Sequence, residues 1–120
     1  MIVLLVALGA AVGAPLRYLA DRAVQARFGS AFPWGTLTVN VAGSLVLGVL
    51  VALPVTPEIS ALLSTGFCGA LTTWSTLSYE TLRLAQAGVR LPALANALGS
   101  VAAGLAAASA AYALTQALTP

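Results

Sequence analysis

Hydrophobic positions in this chain run in long blocks rather than in alternation. Four intervals carry no charged residue: 1–16, 28–57, 59–79 and 91–120. A helix that crosses a bilayer needs about 20 mostly apolar residues. The blocks therefore divide the chain into four spans with almost nothing left over. Strands are not expected, because the runs are too long and too rich in Ala and Leu. A transmembrane barrel would show alternating segments of about ten residues, and none is present. Breakers and charges between the blocks set the boundaries. Span 1 is expected over roughly 2–20, followed by a loop from Asp21 to Phe32. Pro33 suits the start of span 2, expected over roughly 33–53 and closed by Pro54 and Pro57. Glu58 sits where a negative charge favours the start of span 3, expected over roughly 59–87. Gly88, Arg90 and Pro92 close it, and span 4 follows over roughly 92–118. A cleaved leader is the competing reading of the first block. No basic residue precedes its apolar run, which continues through Gly9 and Gly13 to Leu19, so a retained span is expected. Residues 1–120 then form a single four-helix transmembrane domain of the all-α class.

Composition supports the membrane reading. Hydrophobic residues make up 60% of the chain and charged residues only 7%, against about a quarter charged in a soluble domain. This excludes a soluble enzyme with a polar shell and excludes disorder, which needs low hydrophobicity and high charge. Five scattered Arg make no basic footprint, so nucleic acid is excluded as a partner. Cys68 is the only cysteine and there is no His, so neither an intramolecular disulfide nor a zinc site is available. Arg17, Arg22 and Arg27 cluster at the first loop, and Arg83 and Arg90 at the third. The bias of Lys and Arg towards the cytoplasm would place both loops there. Gly9 and Gly13 form a GxxxG pair, which lets helix backbones approach closely in lipid. Four helices make a thin bundle, too thin to enclose a pathway alone, so a homo-oligomer is expected.

Polar residues inside the spans need partners, since an unpaired amide in hydrocarbon is costly. In span 2, Thr36, Asn40 and Ser44 recur every four residues and Gly48 continues the row, which puts them on one helix face. Such a stripe either bonds neighbouring helices or lines a polar pathway. Asn96, Ser100 and Gly104 make a second, weaker stripe in span 4, with the same two readings. Two facing donor stripes would suit an anion that must lose its water. Span 3 is the strongest signal: after Gly66 and Gly69, five hydroxyl residues fall within 72–78. Ser and Thr compete for backbone bonds and Gly is permissive, so a break in the helix is expected. Broken backbone at membrane depth is tolerated only inside protein or beside a wet cavity. The carbonyls it frees are hard oxygen ligands for a small cation. Arg17 and Glu80 are ionisable groups in or near the bilayer, which face the interior or snorkel to its edge. Arg17 could concentrate anions at a vestibule, and Glu80 could hold the break by accepting hydrogen bonds.

Three motifs in order carry a resemblance that covers nearly the whole chain: Gly13-Ala14-Pro15-Leu16-Arg17-Tyr18, then 35–44 (GTLTVNVAGS), then 66–76 (GFCGALTTWST) with Glu80 behind it. In these the sequence resembles the Fluc (CrcB-type) fluoride channels. The resemblance implies a dual-topology homodimer of antiparallel subunits in the membrane, each of four transmembrane helices with the third broken. It implies two fluoride pores along the subunit interface and a structural Na⁺ at the two-fold axis, held by the carbonyls of Gly69 and Thr72 from both subunits. Asn40 would be a pore donor and Thr36 a pore-side hydroxyl, with Ser75 and Thr76 in the same signature. Arg17 would stand at the vestibule. Asn96 and Ser100 fall where the family keeps a polar track on the fourth helix. The family pattern usually places Phe at two positions three residues apart, with ring edges offered to fluoride; here they hold Trp74 and Leu77. Trp74 keeps an electropositive edge and an N–H donor, and Leu77 offers neither.

The expected function is passive export of fluoride, which lowers its cytoplasmic level, with no catalysis. Neutral donors replace the water of the anion, and a narrow pore excludes chloride by size. Two rivals stay open at the level of residues. A small multidrug-resistance-type cation antiporter would need an acidic residue central in span 1, and none precedes Asp21. A non-conducting structural subunit would tolerate loss of Asn40 in flux but not in stability. A pairing of two oppositely oriented proteins also stays open, because the five Arg are not evenly divided between the two sides.

Overall fold

The computed structural model describes residues 1–29, 32–73 and 75–119. Among them every regular element is helical and no strand forms. Helix α1 runs Ile2–Phe28 and α2 runs Trp34–Ala52. A continuous helical run, α3, covers 57–71: Pro57–Ile59, a π-helical stretch Ser60–Cys68, and Gly69–Leu71. Helix α4 runs Ser75–Gln86 and α5 runs Arg90–Leu118. Three of these, α1, α2 and α5, are long and apolar enough to cross a membrane.

Helix ends follow local chemistry. The loop expected from Asp21 is instead helix as far as Phe28. Residues 21–28 contain no breaker, and side chains one turn apart tie the segment together. Gln25 Nε2 donates to Asp21 Oδ1 at 3.0 Å, and the Arg22 guanidinium donates to the Tyr18 hydroxyl at 3.0 Å. The helix stops at Gly29, whose φ of 83° favours glycine. Thr56 caps α3 by accepting from the Ile59 N–H at 3.2 Å. Helix α4 ends in a Schellman turn. Gly88, at φ 84°, donates to the Ala85 carbonyl, and Val89 donates to the Leu84 carbonyl, each at 3.1 Å.

Packing rests on backbone approach more than on side-chain bulk. Gly9 and Gly13 are buried against α3. A Cβ on Gly9 would meet the Leu62 carbonyl oxygen and lie 2.7 Å from the Phe67 nitrogen. One on Gly13 would lie 2.5 Å from the Phe67 carbonyl oxygen. The wider π winding of α3 faces these glycines, and Gly66 in turn lies against the Val6 carbonyl and the Gly9 Cα. On the other side of α2, Gly48 takes the Ala108 carbonyl of α5. Large apolar side chains such as Val12, Leu19, Leu91, Leu98 and Leu105 remain exposed, more than a soluble monomer presents.

Candidate functional site

The interval between α3 and α4 is the centre of the site. Leu71 ends α3, and Thr72 turns to an extended conformation with ψ 159°. Thr72 closes the last helical turn twice on one acceptor. Its N–H reaches the Cys68 carbonyl at 3.0 Å, and its hydroxyl donates to the same carbonyl at 2.9 Å. The next residue leaves the helix ladder. The Thr73 N–H donates to Asn40 Oδ1 at 2.7 Å, and Asn40 Nδ2 donates back to the Thr73 carbonyl at 3.1 Å. In a continuous α-helix that N–H would return to the carbonyl of Gly69, four residues back. Thr73 Oγ1 then accepts from the Thr76 N–H at 3.2 Å and caps the start of α4. Gly43, on the same side of α2 as Asn40, has no Cβ, and the Thr72 methyl occupies that place.

A groove of about 430 Å³ runs alongside this interval between α2, α3, α4 and α5. It brings together several residues expected at the site: Asn40, Gly69, Thr72, Leu77 and Ser100. Gly69 is exposed in it, Leu77 is buried, and Ser100 Oγ is enclosed without a hydrogen-bond partner among the described residues. The groove also gathers Gly43, Ser44, Ser64, Cys68, Thr73 and Gly104. Its polar groups are neutral hydroxyls, one amide and backbone.

Other expected site residues lie elsewhere. Thr36 is 2% exposed and stands against the Glu80 carboxyl, with Asp21 and Arg83 in the same neighbourhood. Asn96 is fully buried, donating to Thr81 Oγ1 at 2.9 Å while its Oδ1 has no partner among the described residues. Ser75 is exposed, Thr76 is half-buried, and neither lines the groove. Arg17 is half-buried with its Nε enclosed and unpartnered among the described residues, also away from the groove. Glu80 is buried beside Thr36, and among the described residues the hydrogen bonds to residue 73 from another helix come from Asn40 of α2. Trp74 lies outside the described residues.

Along α2 the residues of the expected stripe meet different neighbours as the row drifts round the helix. Thr36 faces Glu80, Asn40 and Ser44 face the groove, and Gly48 meets α5. At 3.6 residues per turn, a four-residue step advances about 40°, so three steps carry the row about a third of the way round the helix. Ser100 and Gly104 reach the groove and Asn96 does not. Thr73 and Gly43 were not singled out by residue type. Thr73 acts chiefly through its backbone, and the available signal was its place in the hydroxyl cluster opposite an amide three residues before a glycine.

Comparison with known proteins gives concordant matches. The family model described as "CrcB-like protein, Camphor Resistance (CrcB)" matches residues 4–112. A protein of Streptomyces avermitilis named "Fluoride-specific ion channel FluC 1" is 56% identical over 119 residues, covering 96% of both chains. One of the same name from Frankia casuarinae is 53% identical over 124 residues, again covering 96% of each. A "Fluoride-specific ion channel FluC" of Shewanella woodyi is 52% identical over 98 residues, covering 78% of this chain and 79% of its own.

Proposed function

The chain belongs to the CrcB-like family, and from that premise we propose that it is a fluoride-selective channel of the bacterial cell membrane. The near full-length match to relatives named as fluoride-specific channels carries this reading. It is a multi-pass membrane protein that passes fluoride passively and downhill, lowering its cytoplasmic concentration; it carries out no catalysis.

Two copies, inserted in opposite directions, pair across the groove face. In each, α3 and α4 together make the third of four crossings, a helix interrupted after Leu71. Each alone is shorter than the bilayer core requires, whereas 57–86 is long enough. The polar groove on an otherwise apolar surface supports this, since such a face is costly against lipid and inexpensive against a second polar face.

Fluoride is small and strongly hydrated, so the pore must replace its water with donors. Asn40 and Ser100 line the groove and can donate to it. Asn40 uses one of its two amide hydrogens on Thr73 and keeps the other. Ser100 has an enclosed hydroxyl with no partner among the described residues. Thr36 and Asn96 belong to the buried polar ground beside the path, with Ser75 and Thr76 near its α4 end; Trp74 of the same signature would offer its ring edge and N–H. Leu77 supplies an apolar wall. Arg17 attracts anions at the entrance.

The family resemblance also implies a Na⁺ ion. Backbone carbonyls at an interrupted helix are the hard neutral oxygens such a cation takes. Gly69 is exposed on the groove, and the Thr73 N–H that would satisfy its carbonyl is bonded to Asn40. These residues fit the ion. The carbonyls of Gly69 and Thr72 from two copies would hold it, and it would supply a fixed positive charge beside the anion path.

Purified protein in liposomes loaded with fluoride tests the proposal. Fluoride leaves at a rate that rises with protein content, while chloride is retained. If fluoride stays trapped until an ionophore is added, the channel reading fails.

A further inference from the structure

Resting on that reading, we propose that Asn40 is the positioning residue of the cation site as well as a donor to fluoride. Its side-chain amide takes a backbone N–H out of the helix ladder and so keeps the Gly69 carbonyl available for the ion.

The argument begins with how an α-helix ends. Each carbonyl in it accepts from an N–H four residues on. At Cys68 that rule holds, and the Thr72 hydroxyl reinforces it. At Gly69, one residue later, the expected donor is Thr73, and that N–H is bonded to Asn40 Oδ1 at 2.7 Å. The Thr73 carbonyl is tied to the same amide at 3.1 Å. One neutral side chain therefore pairs both backbone groups of one residue, as a neighbouring strand would. A side-chain amide offers a donor and an acceptor at that fixed spacing without any change of protonation. A carboxylate has the acceptor alone, and Gln would place the amide a methylene too far out.

Helix α2 makes the seat in two parts. Asn40 grips residue 73, and Gly43 leaves room for the Thr72 methyl. The grip and the gap are three residues apart, so they project from one side of α2. Because Asn40 also lines the groove, one amide touches both the anion path and the backbone that presents Gly69. Cation binding and fluoride passage should therefore be linked through this residue.

The full-length protein in detergent provides two readouts that do not depend on flux. The first is hydrogen exchange at the Thr73 amide. In the wild type it should be protected like a helix interior, although Thr73 lies outside any helix. Fast exchange at Thr73 overturns the proposal without any variant. The second is the Na⁺ concentration that half-raises the melting temperature, with ionic strength held by a large organic cation. Asn40→Ala should move that concentration up at least about tenfold, as expected for losing a pair of buried hydrogen bonds, and should unprotect Thr73. Asn40→Asp keeps the acceptor for the Thr73 N–H but sets a second oxygen against the Thr73 carbonyl, so it should weaken both readouts while its charge abolishes fluoride flux. Gly43→Ala, which leaves the amide intact but displaces Thr72, should weaken the Na⁺ response in the same direction.

Should Asn40→Ala abolish flux yet leave both readouts unmoved, Asn40 is a fluoride donor only: the positioning role is overturned and the channel reading survives. A wild type that conducts fluoride but melts identically with and without Na⁺ also overturns the cation role. Absence of fluoride flux in the wild type instead defeats the channel reading, and Thr73 exchange still decides whether the clamp exists.

Discussion

Single atoms decide how close these helices come. Gly9 and Gly13 meet backbone of α3, and backbone cannot rotate away as a long side chain can. Gly9→Ala should therefore destabilise the protein by about 1–3 kcal/mol, as overpacking does, seen as a lower melting temperature in detergent. A Cβ on Gly99, by contrast, would meet nothing within 4 Å beyond its own helix backbone. Gly99→Ala should be neutral or stabilising by up to roughly 1 kcal/mol, the helix-interior preference of Ala over Gly. A melting-temperature loss at both positions alike would contradict this distinction. The sequence shows all these glycines equally. It marks the GxxxG pair by spacing, but which other glycine meets a neighbour depends on helix rotation, which spacing alone does not settle. Asn40 illustrates the same limit. A lone amide in an apolar helix is legible as a residue that needs partners. Its partners are the N–H and carbonyl of Thr73, and backbone groups carry no residue identity that a reader could match to it.

At the scale of elements, the sequence showed where apolar runs lie and where they stop, because breakers act locally. Pro33 stands immediately before α2, Thr56 and Pro57 open α3, and Gly88 closes α4. The extension of α1 to Phe28 was not legible. Charged residues that end a membrane block do not end a helix, and Ala, Arg and Gln continue one readily. The π winding of 60–68 was not legible either, since it accompanies the fit of Gly66 against α1 rather than any local preference. Thr73 gives α4 its start. Thr73→Val removes the hydroxyl that caps Thr76, at a cost of about 1 kcal/mol, and leaves the backbone pair with Asn40 in place. Thr73→Ser should restore stability. Amide exchange in the first turn of α4 distinguishes them, with acceleration in Val and not in Ser; equal exchange in both would argue against the cap.

At the scale of the whole molecule, one copy leaves its polar groove open and much of its apolar surface uncovered. Leu105 borders the groove and is 65% exposed. A buried, unpaired ammonium there is incompatible with a tight interface. Leu105→Lys should convert the proposed dimer to monomer in crosslinking or single-molecule counting, with parallel loss of fluoride efflux. Retained dimer would place the interface on another face. The apolar class and the four blocks were legible in the sequence because they depend on composition over long windows. The choice of face was not, because it depends on how helices far apart in sequence turn towards each other.

Short connections between helices have a practical consequence for reading sidedness. Only a few residues separate Phe28 from Trp34, Ala52 from Pro57 and Gln86 from Arg90. A bulky reporter placed in any of them would have to be accommodated by pulling helices apart. Sidedness is better read with one small thiol and a reagent that cannot cross lipid. Cys68 is 3% exposed, so the native protein should give little background. Ala87→Cys, in the exposed turn after α4, should label to about half from outside the cell and reach completion only after permeabilisation, if the chain inserts both ways. Complete labelling, or none, before permeabilisation would mean a single orientation.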